Sequence, residues 1–126
     1  MARKVLVIDD DLDVLGLMVE RIKSWGYEAV GATSGKEGTE IIKNKNADIV
    51  VLDYFMPDMN GVDTLKKMRR IDSKLPVIML TGYPDNKVIE SAEKLGIVIL
   101  SKASSYQDTE AALKAVIQAI DRKLDK

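Results

Sequence analysis

The residues best suited to chemistry are carboxylates, a hydroxyl and an amine that each follow a short apolar run. An acidic triplet at residues 9–11 follows the first run, Asp53 the third, Thr81 the fourth and Lys102 the fifth. Carboxylates brought close together repel one another and need a counter-charge. Lys102 would supply one positive charge, and a hard divalent cation held by carboxylate oxygens would supply two more. These residue types therefore indicate a metal-assisted site, provided that the fold brings them together.

Missing residue types narrow the chemistry. The chain of 126 residues contains no Cys and no His. This excludes disulfides, thiol nucleophiles, Ser-His catalysis and the common zinc sites. A bound metal must then be held by oxygen, which points to Mg²⁺ or Ca²⁺.

Length and charge limit the classes of protein. We expect a single domain over residues 1–126, because this length suits one hydrophobic core. The 19 basic and 20 acidic residues give a net charge of −1, which does not favour direct nucleic-acid binding. No apolar run is long enough for a membrane span, so we expect a cytoplasmic protein.

Five apolar runs alternate with segments of helical spacing. Four runs are nearly continuous Val, Ile, Leu or Met, which is typical of strands buried on both faces of a parallel sheet. The second run is weaker and suits an edge strand. The pattern predicts an α/β fold, (βα)₅, with a doubly wound five-stranded parallel sheet in the order 2-1-3-4-5. The runs are 5–8, 29–32, 49–52, 77–80 and 97–100.

Helix boundaries have their own signals. Ser34 and Glu37 have capping-box spacing, and Asp11 is expected to cap the first helix. Gly26 and Gly96 are expected just past helix ends. The apolar stripes are Leu15, Met18, Ile22 and Trp25 in the first helix, Val88, Ala92 and Leu95 in the fourth, and Leu113, Val116, Ile117, Ile120 and Leu124 in the fifth.

Ligands of such sheets bind beyond the carboxyl ends of the strands. Strands 1, 3, 4 and 5 are neighbours in the predicted order, so the polar residues at their ends should converge. Each residue also has a plainer interpretation: a helix cap for the acidic triplet, a loop residue for Asp53, turn chemistry for Thr81 and a surface amine for Lys102. Their shared position at strand ends favours one common site.

Four segments together resemble the receiver domains of two-component response regulators, and the resemblance covers nearly the whole chain. Such domains have the flavodoxin-like strand order given above. The segments are Val5-Leu-Val-Ile-Asp-Asp-Asp11, Val51-Leu-Asp-Tyr-Phe-Met-Pro-Asp-Met-Asn-Gly61, Pro76-Val-Ile-Met-Leu-Thr-Gly82 and Leu100-Ser-Lys102.

The resemblance implies a role for each residue at the strand ends. Asp53 corresponds to the phosphoacceptor, Thr81 to the switch hydroxyl and Lys102 to the lysine that pairs with the phosphoryl group. Asp9 and Asp10 correspond to the acidic pair that organises Mg²⁺, for which Mn²⁺ is the alternative. The remaining metal ligands would be Asp53 and the main-chain carbonyl of Phe55, and Pro57 and Gly61 match the loop after the acceptor.

The implied function is a signalling switch in a two-component system or phosphorelay. A sensor histidine kinase, a phosphotransfer protein or a small phosphodonor would phosphorylate Asp53, and the change would alter a partner-binding surface. The domain would not turn over a separate substrate. The downstream target is not implied, and a phosphorylation-dependent dimer is one alternative for the output. The sequence leaves open whether the chain acts alone or is part of a longer regulator.

Three positions depart from the family pattern. Ala103 replaces the proline that often follows the lysine, so we predict a trans bond after Lys102. Ile99 replaces a frequent aromatic residue, so no ring can report phosphorylation there. Phe55 and Tyr83 are bulky where an attacking water would pass, which suggests slow self-hydrolysis of the phosphoryl group.

Three rival functions and one basic cluster complete the set of hypotheses. A flavin or dinucleotide module is disfavoured by the three acids after strand 1, and a phosphohydrolase by Phe55 in place of a second aspartate. An unphosphorylated docking domain is disfavoured by the intact strand-end residues. A cluster on the third helix is expected to be a solvated face, with a docking patch as the alternative; its members are Lys66, Lys67, Arg69 and Arg70.

Overall fold

The computed structural model describes residues 3–53, 61–82, 86–102 and 105–125. Within these ranges, strands and helices alternate along the chain, as the hydrophobic pattern predicted. The strands are β1 (Lys4–Ile8), β2 (Glu28–Ala32), β3 (Ile49–Asp53), β4 (Val77–Thr81) and β5 (Val98–Ser101). The helices are α1 (Leu12–Ser24), α2 (Gly35–Lys43), α3 (Gly61–Ile71), α4 (Asn86–Leu95) and α5 (Tyr106–Leu124).

The described strands form one parallel sheet in the order β2-β1-β3-β4-β5. This confirms the predicted fold class and strand order, including the edge position of the weaker second strand. The register aligns the carboxyl ends of the inner strands, since Ile8 pairs with Leu52 and Asp53 pairs with Leu80. Residues that follow these strand ends therefore share one edge of the sheet.

The sheet separates two apolar layers. Alternate residues of the central strands point to opposite faces, so that Leu6 and Ile8 enter one layer while Val5 and Val7 enter the other. One layer packs mainly against α1 and α5, and the other against α2, α3 and α4. Burial on both faces explains the continuous apolar runs of β1, β3 and β4.

The predicted boundary signals act as expected. Asp11 and Ser34 are the N-caps of α1 and α2, and their side chains accept hydrogen bonds from main-chain N–H groups of the first turn. Gly26 and Gly96 follow α1 and α4 with φ angles of 97° and 67°, a left-handed conformation that glycine adopts without strain.

Two predictions need correction. The stripe of α5 is buried at Leu113 and Ile117, but Leu124 is 39% exposed, so the last turn extends past the core. The basic cluster on α3 is not a uniform solvated face. Arg69 is half-buried, and its guanidinium donates to the main-chain carbonyls of Leu95 (2.7 Å) and Gly96 (3.3 Å), among others.

Within the described ranges, each helix is too short or too polar to cross a bilayer.

Candidate functional site

Main-chain hydrogen bonds position Asp9 at the end of β1. Its N–H donates to the carbonyl of Ala32 at 3.0 Å, which extends the β1–β2 ladder by one residue. One oxygen of its carboxylate accepts from the N–H of Asp11 at 3.0 Å. Hydrogen bonds therefore hold both the main chain and the carboxylate of Asp9, and only 8% of the residue is exposed.

Three carboxylates meet at this edge of the sheet. Asp9 is buried, Asp10 is exposed and Asp53 is half-buried, and each offers an oxygen within 4.8 Å of those of the other two. Carboxylate oxygens are the ligands that Mg²⁺ and similar hard cations prefer. The donor set and its spacing thus fit a divalent cation, as the residue types alone had suggested.

The electrostatics of Asp9 reflect this crowding. Burial raises its pKa to about 6, and the nearby carboxylates of Asp53 and Asp10 act in the same direction. The Asp11 N–H and the charge of Lys102 lower it. The Asp11 N–H and Lys102 therefore compensate only part of the cost of burying the ionised carboxylate of Asp9.

Lys102 brings a cation to the cluster from the far strand. Its N–H donates to the carbonyl of Thr81 at 2.8 Å, continuing the β4–β5 ladder past Ser101. Its ammonium Nζ lies 3.4 Å from Oδ1 of Asp53. The lysine side chain is 45% exposed and the Asp53 side chain 14%, so solvent reaches the pair mainly from the side of the lysine.

Thr81 lies at the end of β4, directly after the residue that pairs with Asp53. Only 1% of Thr81 is exposed. Asp11, the third acid of the triplet, caps α1 and is exposed, with its Oδ1 accepting from the N–H groups of Asp13 and Val14. The triplet therefore divides into two members of the acidic cluster and one helix cap, as predicted.

An apolar cavity of about 280 Å³ adjoins the cluster between α1, α5 and the sheet. Asp9, Asp53 and Lys102 line it together with Val14, Met18 and Tyr106. Burial and the neighbouring Glu110 raise the pKa of Tyr106 to about 12, so its phenol stays neutral. Sequence reasoning missed Tyr106; its position four residues past Lys102 was the signal available.

Several predicted features lie outside the described residues. These are the Phe55 carbonyl as a metal ligand, Pro57 in the loop after the acceptor, and the trans bond between Lys102 and Ala103. The shielding role of Phe55 and Tyr83 lies there as well. Ile99 is described: it is half-buried and packs on the layer that faces α2, α3 and α4.

Comparison with known proteins decides the family. The family model of the response regulator receiver domain matches residues 5–114. The chain belongs to this family. Its place is therefore in two-component signalling, and members of this family are generally signalling domains rather than enzymes with turnover.

Receivers of different contexts are similar to this chain. The chemotaxis protein CheY of Thermotoga maritima is 34% identical over 97 residues, which cover 76% of this chain and 81% of that protein. Sporulation initiation phosphotransferase F of Bacillus subtilis is 32% identical over 96 residues, covering 76% of this chain and 77% of that protein. A probable transcriptional regulator, ycf27 of Porphyridium aerugineum, is 31% identical over 120 residues. Those residues cover 94% of this chain but 50% of that regulator, so this chain spans about half of its length.

Solved structures agree with the fold. A response regulator receiver domain protein from Clostridium thermocellum is 33% identical, with a TM-score of 0.81 and coverage of 98% of this chain and 97% of that one. A CheY-like receiver from Methanospirillum hungatei is 25% identical, with a TM-score of 0.83 and coverage of 99% and 95%.

Proposed function

We propose that this receiver is a phosphorylation switch that accepts a phosphoryl group on Asp53 in a magnesium-dependent reaction. The observation that carries the proposal is the geometry of the strand ends. Asp9, Asp10 and Asp53 offer oxygens within 4.8 Å of one another, and the Lys102 ammonium lies 3.4 Å from Asp53. The phosphodonor would be a sensor histidine kinase, a phosphotransfer protein or a small acyl phosphate.

The reaction is a displacement at phosphorus. An oxygen of the Asp53 carboxylate forms a bond to the phosphorus of the donor, while the bond to the donor's nitrogen or oxygen breaks and the leaving group keeps the electron pair. The attack brings two anions together, which opposes the reaction. Lys102 is positioned to pair with the incoming phosphoryl oxygens and to offset that repulsion.

Asp9, Asp10 and Asp53 would hold Mg²⁺, or Mn²⁺ as the alternative, with the Phe55 carbonyl as the further ligand predicted from the family. The ion would supply positive charge beside the phosphoryl oxygens and reduce their repulsion from the carboxylates. The raised pKa of Asp9 supports this assignment, because a carboxylate that lacks compensation without a metal gains most from binding one.

The output follows from the new charge. A phosphoryl group on Asp53 presents strong acceptor oxygens, and the hydroxyl of Thr81 is the donor that we expect to turn toward it. Thr81 adjoins β5 through its main-chain bond with Lys102, so its movement would reach the surface formed by α4, β5 and α5. Ile99 lies in that region and would change the surface by packing rather than by rotation of a ring. A phosphorylation-dependent dimer is one form that the output could take, and the domain would turn over no separate substrate.

The test is phosphorylation by acetyl phosphate, followed by intact mass spectrometry with and without Mg²⁺. We expect the native chain to gain the mass of one phosphoryl group only when Mg²⁺ is present, and to lose it on treatment with hydroxylamine, which cleaves acyl phosphates. Asp53→Asn should gain nothing. Glu20→Gln is the matched control, because it removes one carboxylate from an exposed position on α1.

Lys102→Met removes the positive charge of the lysine and leaves the phosphoacceptor Asp53 in place. This variant should bind Mg²⁺ and be phosphorylated far more slowly, because the counter-charge of the phosphoryl group is gone. A phosphoryl group gained by Asp53→Asn, or gained by the native chain equally well without Mg²⁺, would contradict the proposal.

A further inference from the structure

A groove between α2 and α3 carries an excess of positive charge. It has a volume of about 470 Å³. Four cationic side chains line it against a single carboxylate, Glu40, whereas the whole chain has a net charge of −1. The lining residues are Lys36, Thr39, Glu40, Lys43, Lys67, Arg70 and Ile71.

Helical spacing produces the groove. On α2, Lys36 and Lys43 are separated by two turns, about 10 Å along the axis, and both face α3. On α3, Lys67 lies one turn from Arg70 and Ile71 on the face toward α2. Each helix thus contributes a row of two cations to the lining of the groove.

The basic residues of α3 differ in what their side chains contact. Arg69 points its guanidinium at main-chain carbonyls around the ends of α3 and α4, so its charge is used inside the fold. Lys67 and Arg70 are exposed and face the groove. Lys43 has one partner on its own helix, Glu40, at 3.5 Å, and both side chains are more than half exposed. An exposed pair of this kind is held weakly and can exchange partners.

The floor of the groove is not polar. The Thr39 hydroxyl is already bonded to the carbonyl of Lys36 at 2.9 Å, and Ile71 exposes 36% of its surface. The aliphatic stems of the lysines add apolar surface beneath their charged ends. A suitable occupant therefore needs negative charges along its length and an apolar group between them.

We propose that this groove docks an acidic polypeptide segment of a partner protein, with carboxylates paired to the two cationic rows and an apolar side chain against Ile71. A short polypeptide segment fits better than a nucleic acid because of its length relative to the groove. A long polyanion would extend beyond the groove onto a molecule that is weakly acidic overall, whereas a short segment can remain among the charges of the groove, within about 10 Å. The surface is separate from the acidic cluster, so the inference does not depend on phosphorylation of Asp53.

The experiment uses a labelled synthetic peptide in which Glu and Asp alternate with Leu, titrated with the full chain and followed by fluorescence anisotropy. Amide NMR shifts should locate binding on α2 and α3. Affinity should fall several-fold when salt rises from about 50 mM to about 300 mM, because the contacts are between exposed charges. Asp53→Asn should bind the peptide as the native chain does, which separates this test from that of the phosphoacceptor.

Charge reversal provides the matched comparison. Lys67→Glu with Arg70→Glu should weaken peptide binding by roughly tenfold or more. Lys23→Glu with Lys123→Glu makes the same change in net charge at exposed positions outside the groove, and should stay within about twofold. If the reversed protein fails to fold, Lys67→Gln with Arg70→Gln replaces it, and Ile71→Ala tests the apolar contact with a smaller expected loss.

Three outcomes of the peptide experiments would overturn the proposal. These are no measurable binding of the acidic peptide, shifts that map away from α2 and α3, or equal losses in the groove and control variants. A single-stranded DNA of matched charge that bound the same residues as tightly would also overturn it, since the groove would then be a general polyanion site.

Discussion

At the amino end of the sheet, charged groups meet partners of opposite polarity; at the carboxyl end, three carboxylates gather beside one lysine. At the amino end, Arg3 pairs with Asp121 of α5 and with Asp125, the residue that follows α5. There too, Arg69 joins the end of α3 to the carbonyls before β4 and β5. The carboxyl end instead holds a buried acid whose pKa is raised to about 6.

The difference shows where stability and function reside. The amino-end contacts fix the positions of strand starts and helix ends, where main-chain carbonyls would otherwise lack donors. Burial of Asp9 in its ionised form disfavours folding, so we expect the carboxyl-end cluster to oppose folding until a cation binds. We therefore expect substitutions at the amino end to destabilise the fold, and neutralisation at the carboxyl end to stabilise the metal-free protein while removing function.

The largest effect should come from Arg69→Ala. Removal of the guanidinium leaves the carbonyls of Leu95 and Leu75 without their charged donor, and we expect the free energy of unfolding to fall by about 2–4 kcal/mol. Urea denaturation measures it. Arg70→Ala is the control, with an expected change within about 0.5 kcal/mol. Arg69→Lys should restore only part of the loss, since an ammonium cannot reproduce the planar fork. Equal effects of Arg69→Ala and Arg70→Ala would refute the contrast between the two ends.

The next largest effect should be an increase, not a decrease, in the free energy of unfolding. In Mg²⁺-free buffer, Asp9→Asn should stabilise the protein by up to about 3 kcal/mol above pH 6. Burial raises the folded pKa of Asp9 from 3.8 to about 6, so folding of the native chain weakens as pH rises through that window. Below 3.8 both states are protonated and the advantage of the variant should vanish. Denaturation at several pH values tests this, with Glu20→Gln as the exposed control; an advantage that did not change with pH would exclude the raised pKa as its cause.

Sequence reasoning reached the fold because its signals were local. Continuous apolar runs follow from burial on both faces of a parallel sheet, and Asp11, Ser34 and Gly26 act within their own turns. The meeting of the strand-end residues was also predictable, because strand order determines which ends are adjacent. These inferences required no knowledge of how distant side chains pack.

What could not be predicted depends on contacts between distant segments. Asp9 and Asp10 are consecutive acids, yet only Asp9 is buried, because its N–H joins the ladder at Ala32. Arg69 and Arg70 are consecutive cations, yet only Arg69 is half-buried, with its guanidinium donating to the carbonyls at the end of α4. In each pair the two residues are of the same type and adjacent in sequence. They differ because a distant segment of the chain supplies a hydrogen-bond partner to only one of them.

Binding of Mg²⁺ should be coupled to the loss of the proton from Asp9. Because Asp9 must be ionised to act as a ligand, the apparent affinity should fall by up to about tenfold per pH unit below pH 6. Calorimetry in buffers of different ionisation enthalpy should detect close to one proton released per ion at pH 5 and little release at pH 7.5. A release that stays the same across this range would contradict the assignment of the proton to Asp9.

The smallest effect distinguishes neighbours within the acidic triplet. Asp11→Ala removes the N-cap of α1 and should cost about 1 kcal/mol in the free energy of unfolding, while Mg²⁺ binding stays unchanged, because Asp9 accepts from the main-chain N–H of Asp11 rather than from its side chain. Asp11→Ser should restore stability. Asp10→Asn should do the reverse, with weakened Mg²⁺ binding in a fold of nearly native stability, since Asp10 is exposed. Denaturation and calorimetry on the three variants measure both properties, and loss of Mg²⁺ binding in Asp11→Ala would mean that the boundary between cap and metal site lies one residue later.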